Sequence, residues 1–244
     1  MPSYTDHPLP SLDARHDSGL LAKVFAQHGR IHIPSVLTAG SAARVHRCLA
    51  EETRYNVVVN SGDKVFEIPA ERHAAMSDAE RAGLLHAAGQ SARDGFQYLY
   101  ENCRLSEAGE PYPDDHHFLA RIVAFLNGPE FLAFVRAVTG EPRIAFADAQ
   151  ATRYGPGHYL TTHTDFEPDK KRLTAFVLNM TPRWRPDWGG LLLFLDPDGR
   201  VAEGYVPVFN GLNLMRVPQP HLVSTVADFA GGARYSVTGW LRAA

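Results

Sequence analysis

Cysteine is almost absent from this chain: Cys48 and Cys103 are the two examples in 244 residues. One widely separated pair makes neither a disulfide framework nor a clustered thiolate site, so two reduced thiols in a cytoplasmic protein are expected. Long hydrophobic runs are lacking too. Uninterrupted apolar stretches such as LLLFL at 191–195 are far shorter than the roughly 20 residues that cross a bilayer. The opening MPSYTDHPLPSLD has no basic segment followed by an apolar one, so no secretory signal is expected. Charge of one sign is also in short supply. With 24 Lys and Arg against 27 Asp and Glu, the net charge of -3 gives no electrostatic reason to bind nucleic acid or an anionic membrane. Internal repeats and low-complexity tracts are missing as well, and nothing in the sequence implies a particular oligomeric state.

What remains is the composition of a soluble globular protein, 45% hydrophobic and 10% aromatic, long enough for a sizeable core. The texture changes near residue 142. Before it, apolar residues recur at helical spacing in 38–52, in 77–101 after the N-cap signal of Ser77, and in 114–128 and 129–140, both ending on glycine. Between the first two, YNVVVNSGDKVFEIP at 55–69 reads as a β-hairpin. After 142 the segments are short, β-branched and aromatic, with glycine and proline between them: IAFADAQATRY, HYLTTHTDF, RLTAFVLNM, GLLLFLDP, LNLMRVP, HLVSTV and RYSVTGWL. That is the rhythm of a sandwich or barrel. No linker divides the halves. The chain reads as one domain, a mainly β core (143–242) with helical support from 1–142.

Within HYLTTHTDF, alternate residues share a face, so Tyr159, Thr161, His163 and Asp165 line one side. With 12 histidines in the chain, about 0.7 His-x-Asp tripeptides arise by chance, so the pair alone is weak evidence. His221, after the stiff PQP turn, supplies a third candidate ligand. Two histidines and a carboxylate leave positions open on one side of a metal, which suits Fe(II) with a co-substrate and O2, or Zn2+ with water. In RYSVTGWL, Arg234 and Ser236 share a face and offer a forked donor and a hydroxyl to one carboxylate. The basic KKR at 170–172 reads as a solvated turn, RWRPDW at 183–188 as a tryptophan-pinned loop or a stacking platform, and His116 and His117 as surface residues.

Taken in order, RYGPGHYLTTHTD, RLTAFVLN, WGGLLLFLDPDG, VPVFNGL, PHLVSTV and RYSVTGW resemble the 2-oxoglutarate- and Fe(II)-dependent oxygenases, specifically their prolyl hydroxylase-like branch. The ending and the WGG piece look most like hydroxylases of a ribosomal-protein prolyl residue. The resemblance implies a double-stranded β-helix, a jelly roll open at one end. It implies Fe(II) on His163, Asp165 and His221, and 2-oxoglutarate with its far carboxylate on Arg234, aided by Tyr154. Val177 stands where some relatives carry a second co-substrate tyrosine, leaving Ser236 or Thr174 to compensate. The implied reaction uses O2 to hydroxylate an unactivated C–H of a protein or peptide prolyl residue, with succinate and CO2 as co-products. A small-molecule hydroxylase and a silent or Zn-dependent cupin-like binding protein are the alternatives.

Overall fold

A computed structural model describes residues 8–244, so the first seven residues of the segment read for a signal lie outside it. Helix α1 (Ser18–His28) starts where the Asp17 side chain accepts from the N–H groups of Gly19 and Leu20. Strand β1 (Arg30–Ile33) follows, then α2 (Ala39–Arg47), which runs on into a π-helical turn at Cys48–Glu52. The predicted hairpin is present as β2 (Asn56–Ser61) and β3 (Lys64–Ile68). After the short α3 (Ala70–Ala74), α4 (Asp78–Ser91) opens on a capping box between Ser77 and Glu80.

The helix expected over 77–101 stops early, because Tyr98–Ser106 form strand β4. There Leu99, Glu101 and Leu105 are buried between β2 and a later strand, and these pairings override the local helical spacing. Helices α5 (Phe118–Leu126) and α6 (Pro129–Thr139) complete the first half. His117 is not a free surface residue: its Nδ1 caps α5 by accepting from Leu119 N–H, and its other ring nitrogen meets the Glu52 carbonyl. His116 is exposed, as read.

The second half supplies β5 (Ile144–Tyr154), β6 (Tyr159–His163), β7 (Arg172–Asn179), β8 (Leu192–Leu195), β9 (Val201–Tyr205), β10 (Gly211–Arg216), β11 (His221–Val223) and β12 (Arg234–Ala243). All pairings between these strands are antiparallel. The strand order is β1-β10-β7-β12-β5-β4-β6-β11-β8-β9, with β2 and β3 extending beside β4. A broad sheet from β1 to β4 thus folds over a smaller one, β6-β11-β8-β9, joined by the pairs Tyr98–Leu160 and Leu99–Tyr159. This nearly closed barrel with helices outside is the expected jelly roll. Strands β1 and β4 come from the half read as helical and hairpin.

Alternation along the broad sheet divides two environments. Ala147, Ala149, Ala151, Phe176, Leu178, Leu212, Leu214, Val237 and Leu241 point outward to Phe25, Val45, Ile122, Phe131 and Val135 of the helices, forming the main core. The inner face carries lateral rows of polar residues across adjacent strands: Tyr154 beside Arg234, Thr152 beside Ser236 and Asn179, Gln150 beside Thr238 and Val177. Phe131 joins the helical layer to the sheet, with ring centroids 5.1 Å from Phe125 and 6.3 Å from Phe176. Phe131→Ala is expected to lower unfolding free energy by about 3–5 kcal/mol in a denaturant titration. Among the described residues no single helix is long and apolar enough to cross a membrane.

Candidate metal centre

His163 ends β6, and His221 opens β11 as its register partner, so the two imidazoles meet across one ladder with ring centroids 4.2 Å apart. Asp165 follows the strand end with φ 61, a left-handed conformation that aspartate tolerates better than most residues. This turn brings the carboxylate back against both rings: Oδ1 lies 3.4 Å from His163 Nε2, and Oδ2 lies 3.3 Å from His221 Nε2. The candidate ligand atoms all fall within 4.8 Å of one another.

The far ring nitrogens fix the tautomers. His163 Nδ1 lies 3.0 Å from the Thr161 carbonyl and His221 Nδ1 lies 2.8 Å from the Gln219 carbonyl. A carbonyl only accepts, so each Nδ1 carries the proton and each Nε2 turns its lone pair inward. Burial alone raises the pKa of Asp165, but the two imidazoles against its oxygens more than reverse this and hold it well below the usual carboxylate range. Burial likewise opposes charge on His221, yet Asp165 outweighs it and the pKa rises. Three acceptors converging on one point, each backed by its own chain, form a donor set for a divalent cation.

The same cavity, about 490 Å3, contains Arg234. Its side chain is 2% exposed, one amino group donates to the Gly190 carbonyl at 3.1 Å, and Nε has no partner. No carboxylate pairs with it among the described residues. Burial pushes its pKa down, although Tyr154 opposes the shift, and a guanidinium stays charged regardless. Burying such a charge unpaired is costly, and an anion at this end of the cavity would offset that cost. Tyr154 lies directly opposite Arg234 on β5 and stacks on Tyr100 with centroids 5.0 Å apart; burial keeps its hydroxyl protonated as a donor.

Ser236 sits deeper. It is fully buried, with its hydroxyl 2.8 Å from Thr152 Oγ1, and Thr152 is the one that lines the cavity. Val177 lines the cavity, whereas Thr174 lies on the alternate face of β7, away from it.

The fold also recruits residues that the sequence reading passed over. Arg172 is not the end of a solvated turn: it donates to the Asp165 carbonyl at 3.2 Å, pairs with Glu167 and stacks 3.6 Å over the Trp240 ring. It thereby braces the loop that presents the carboxylate. Gln150 and Thr152 line the cavity from β5 beside Tyr154, a row signalled by the small-apolar and polar alternation of IAFADAQATRY.

Residues 149–242 match the family model of the 2OG-Fe(II) oxygenase superfamily. That stretch carries the three candidate ligands, Arg234 and the cavity-lining residues of β5. A Pseudomonas putida prolyl-4-hydroxylase is 19% identical, covers 93% of this chain and 99% of its own, and superposes with a TM-score of 0.57. A 2OG-Fe(II) oxygenase family oxidoreductase from Burkholderia pseudomallei gives 14%, 93%, 91% and 0.61. A Trichoplax adhaerens prolyl hydroxylase in complex with a hypoxia inducible factor oxygen degradation domain peptide fragment gives 14%, 93%, 89% and 0.59. At these identities the likeness is one of fold. No curated protein sequence matches the chain. The matched superfamily implies Fe(II), 2-oxoglutarate and O2, and the residues present fit the first two: two imidazoles and a carboxylate for iron, and a guanidinium without a carboxylate partner among the described residues for an oxoacid's far carboxylate.

Proposed function

We propose that the protein hydroxylates a prolyl residue of a protein or peptide, with iron on His163, Asp165 and His221 and the far carboxylate of 2-oxoglutarate on Arg234. The carrying observation is a buried guanidinium without a carboxylate partner among the described residues, in the same cavity as the His–Asp–His cluster. Bound together, Fe(II), 2-oxoglutarate and O2 supply the oxidising power, with one oxygen atom going to the substrate and the other to succinate as CO2 leaves. The chain itself supplies orientation. His163 and His221 hold their Nε2 lone pairs inward because their Nδ1–H groups are tied to backbone carbonyls. Arg234 and the Tyr154 hydroxyl seat the co-substrate, and Ser236 supports Thr152 from behind. Val177, Leu192, Met215 and Val223 line the cavity with hydrocarbon and keep water from it.

A macromolecular substrate is favoured by the collar of the cavity. Val65, Phe96 and Phe166 all line it and are 56%, 50% and 61% exposed. Apolar side chains grouped at a site mouth suit a protein or peptide partner. Two of the similar folds belong to prolyl hydroxylases, one of them in complex with a peptide fragment. A small substrate remains the second reading, since a cavity of about 490 Å3 also suits a free amino acid or metabolite.

Anaerobic addition of Fe(II) and 2-oxoglutarate is expected to produce the visible charge-transfer band of the chelate; a zinc-type or silent protein gives none. Incubation of the active protein with a cell lysate is then expected to add one oxygen mass to a prolyl residue of a protein. Oxygen found only on small molecules overturns the protein-substrate reading.

A further inference from the structure

The anion-binding end of the cavity is built on a backbone corner. Gly189 and Gly190 both have positive φ, 69 and 62, and the Gly190 carbonyl is the acceptor that holds Arg234 at 3.1 Å. The corner is stapled from several sides. Gly190 N–H donates to the Ser224 carbonyl at 3.1 Å, and Leu191 N–H donates to the Ser224 hydroxyl at 3.0 Å. Trp184 donates its indole N–H to the Gly189 carbonyl at 2.8 Å.

The fit is tight at both glycines, and their positive φ strains any side chain placed there. A Cβ on Gly189 would lie 2.0 Å from the Thr225 carbonyl oxygen. On Gly190 it would lie 3.2 Å from Val226 Cγ2, 3.3 Å from Trp184 Cζ2 and 3.8 Å from Arg234 Cδ. The Trp184 ring therefore packs directly against the peptide unit that holds the guanidinium, and Trp188 braces that ring edge-on at 5.3 Å.

We propose that the Gly189–Gly190 corner, wedged by Trp184, fixes how deep Arg234 presents its guanidinium and so sets the length of dicarboxylate the cavity accepts. This rests on the reading of Arg234 as the carboxylate anchor. The argument is one of rigidity. Among the described residues Arg234 has no carboxylate to orient it, and long side chains wander unless their donors are held. A single carbonyl on an immobile corner holds the guanidinium without neutralising it, leaving the charge for the ligand. Metal at one end and guanidinium at the other form a gauge, and moving one end changes which chain length spans it. Gly190, Gly189 and Trp184 are positioning residues here; none is assigned contact with the reacting atoms.

The test is an anaerobic titration of the Fe(II)-loaded protein with 2-oxoglutarate, its one-carbon-longer homologue 2-oxoadipate and its one-carbon-shorter homologue oxaloacetate, read by the visible band and by the shift in melting temperature. Iron affinity is measured separately against a chromophoric chelator. In Gly190→Ala the half-saturation for 2-oxoglutarate is expected to rise about tenfold, and its preference over the two homologues to shrink, with Fe(II) affinity within about twofold of wild type. Wild-type half-saturation and selectivity in folded Gly190→Ala overturn the proposal, as does parallel weakening of iron and oxoacid. Trp184→Phe keeps an aromatic ring but removes the indole N–H, and covers the case in which Gly190→Ala does not fold. It is expected to shift selectivity in the same direction, and wild-type selectivity there also overturns the proposal. Arg234→Met separates the two levels: if it binds 2-oxoglutarate normally, the functional reading itself falls.

Discussion

Asp165→Ala is expected to abolish Fe(II)-dependent succinate production and to weaken Fe(II) binding by more than about a hundredfold. Loss of a group that merely orients a ligand already costs roughly 10–100-fold in metal affinity, and Asp165 is the one candidate ligand with a formal charge. Its oxygens lie 3.4 and 3.3 Å from the two imidazoles, and no second carboxylate joins the cluster among the described residues. His163→Ala and His221→Ala are expected to behave alike. Wild-type succinate release from any of these variants with Fe(II) removes that residue from the ligand set. The same geometry sets the sign of the pH dependence. Burial disfavours a proton on His221, but Asp165 outweighs burial and raises its pKa, so a proton competes with iron for this imidazole at a higher pH than for a free one. Fe(II) affinity should therefore fall as pH is lowered through the histidine range, and a chelator competition at several pH values measures it.

The readable and unreadable parts of the sequence divide along physical lines. Period-two alternation in RYSVTGWL assigns Arg234, Ser236, Thr238 and Trp240 to one face and Tyr235, Val237 and Leu241 to the other, as the two core clusters bear out. The β2–β3 hairpin was legible from its Gly62 turn between β-branched runs. β4 was not: its first residues, YLYE, continue a helical spacing from residue 77, and only pairing with β2 and β5 makes them a strand. β1 is short and carries a basic and a histidine side chain, so it too is decided by its partner β10. Arg172 shows the same limit at the site. Its place in a KKR run says solvent, but its register brings it over Trp240 and beneath the Asp165 loop. Residues whose role depends on their own strand's period could be read, whereas those whose role depends on a partner strand could not.

Arg234→Met is expected to move stability and ligand affinity in opposite directions. Each charge-assisted hydrogen bond from a guanidinium to a carboxylate contributes about 1.5–3 kcal/mol, so losing a forked pair should raise 2-oxoglutarate half-saturation by at least about a hundredfold. The ligand-free protein should become more stable. It now buries a full charge at 2% exposure that donates to one neutral carbonyl, with Nε orphaned among the described residues. Methionine fills the aliphatic channel and leaves the Gly190 carbonyl unpaired, at a cost of about 1–3 kcal/mol, while the Tyr154 ring 5.2 Å from the guanidinium loses its cation. Desolvating an unpaired ion costs several kcal/mol and outweighs both, so the melting temperature should rise by a few degrees. Added 2-oxoglutarate with iron should raise the melting temperature of the wild type and leave the variant where it is, because only a ligand that binds the native state stabilises it. A variant that melts lower and still responds to 2-oxoglutarate would mean that this buried charge serves the fold and that the oxoacid is held elsewhere.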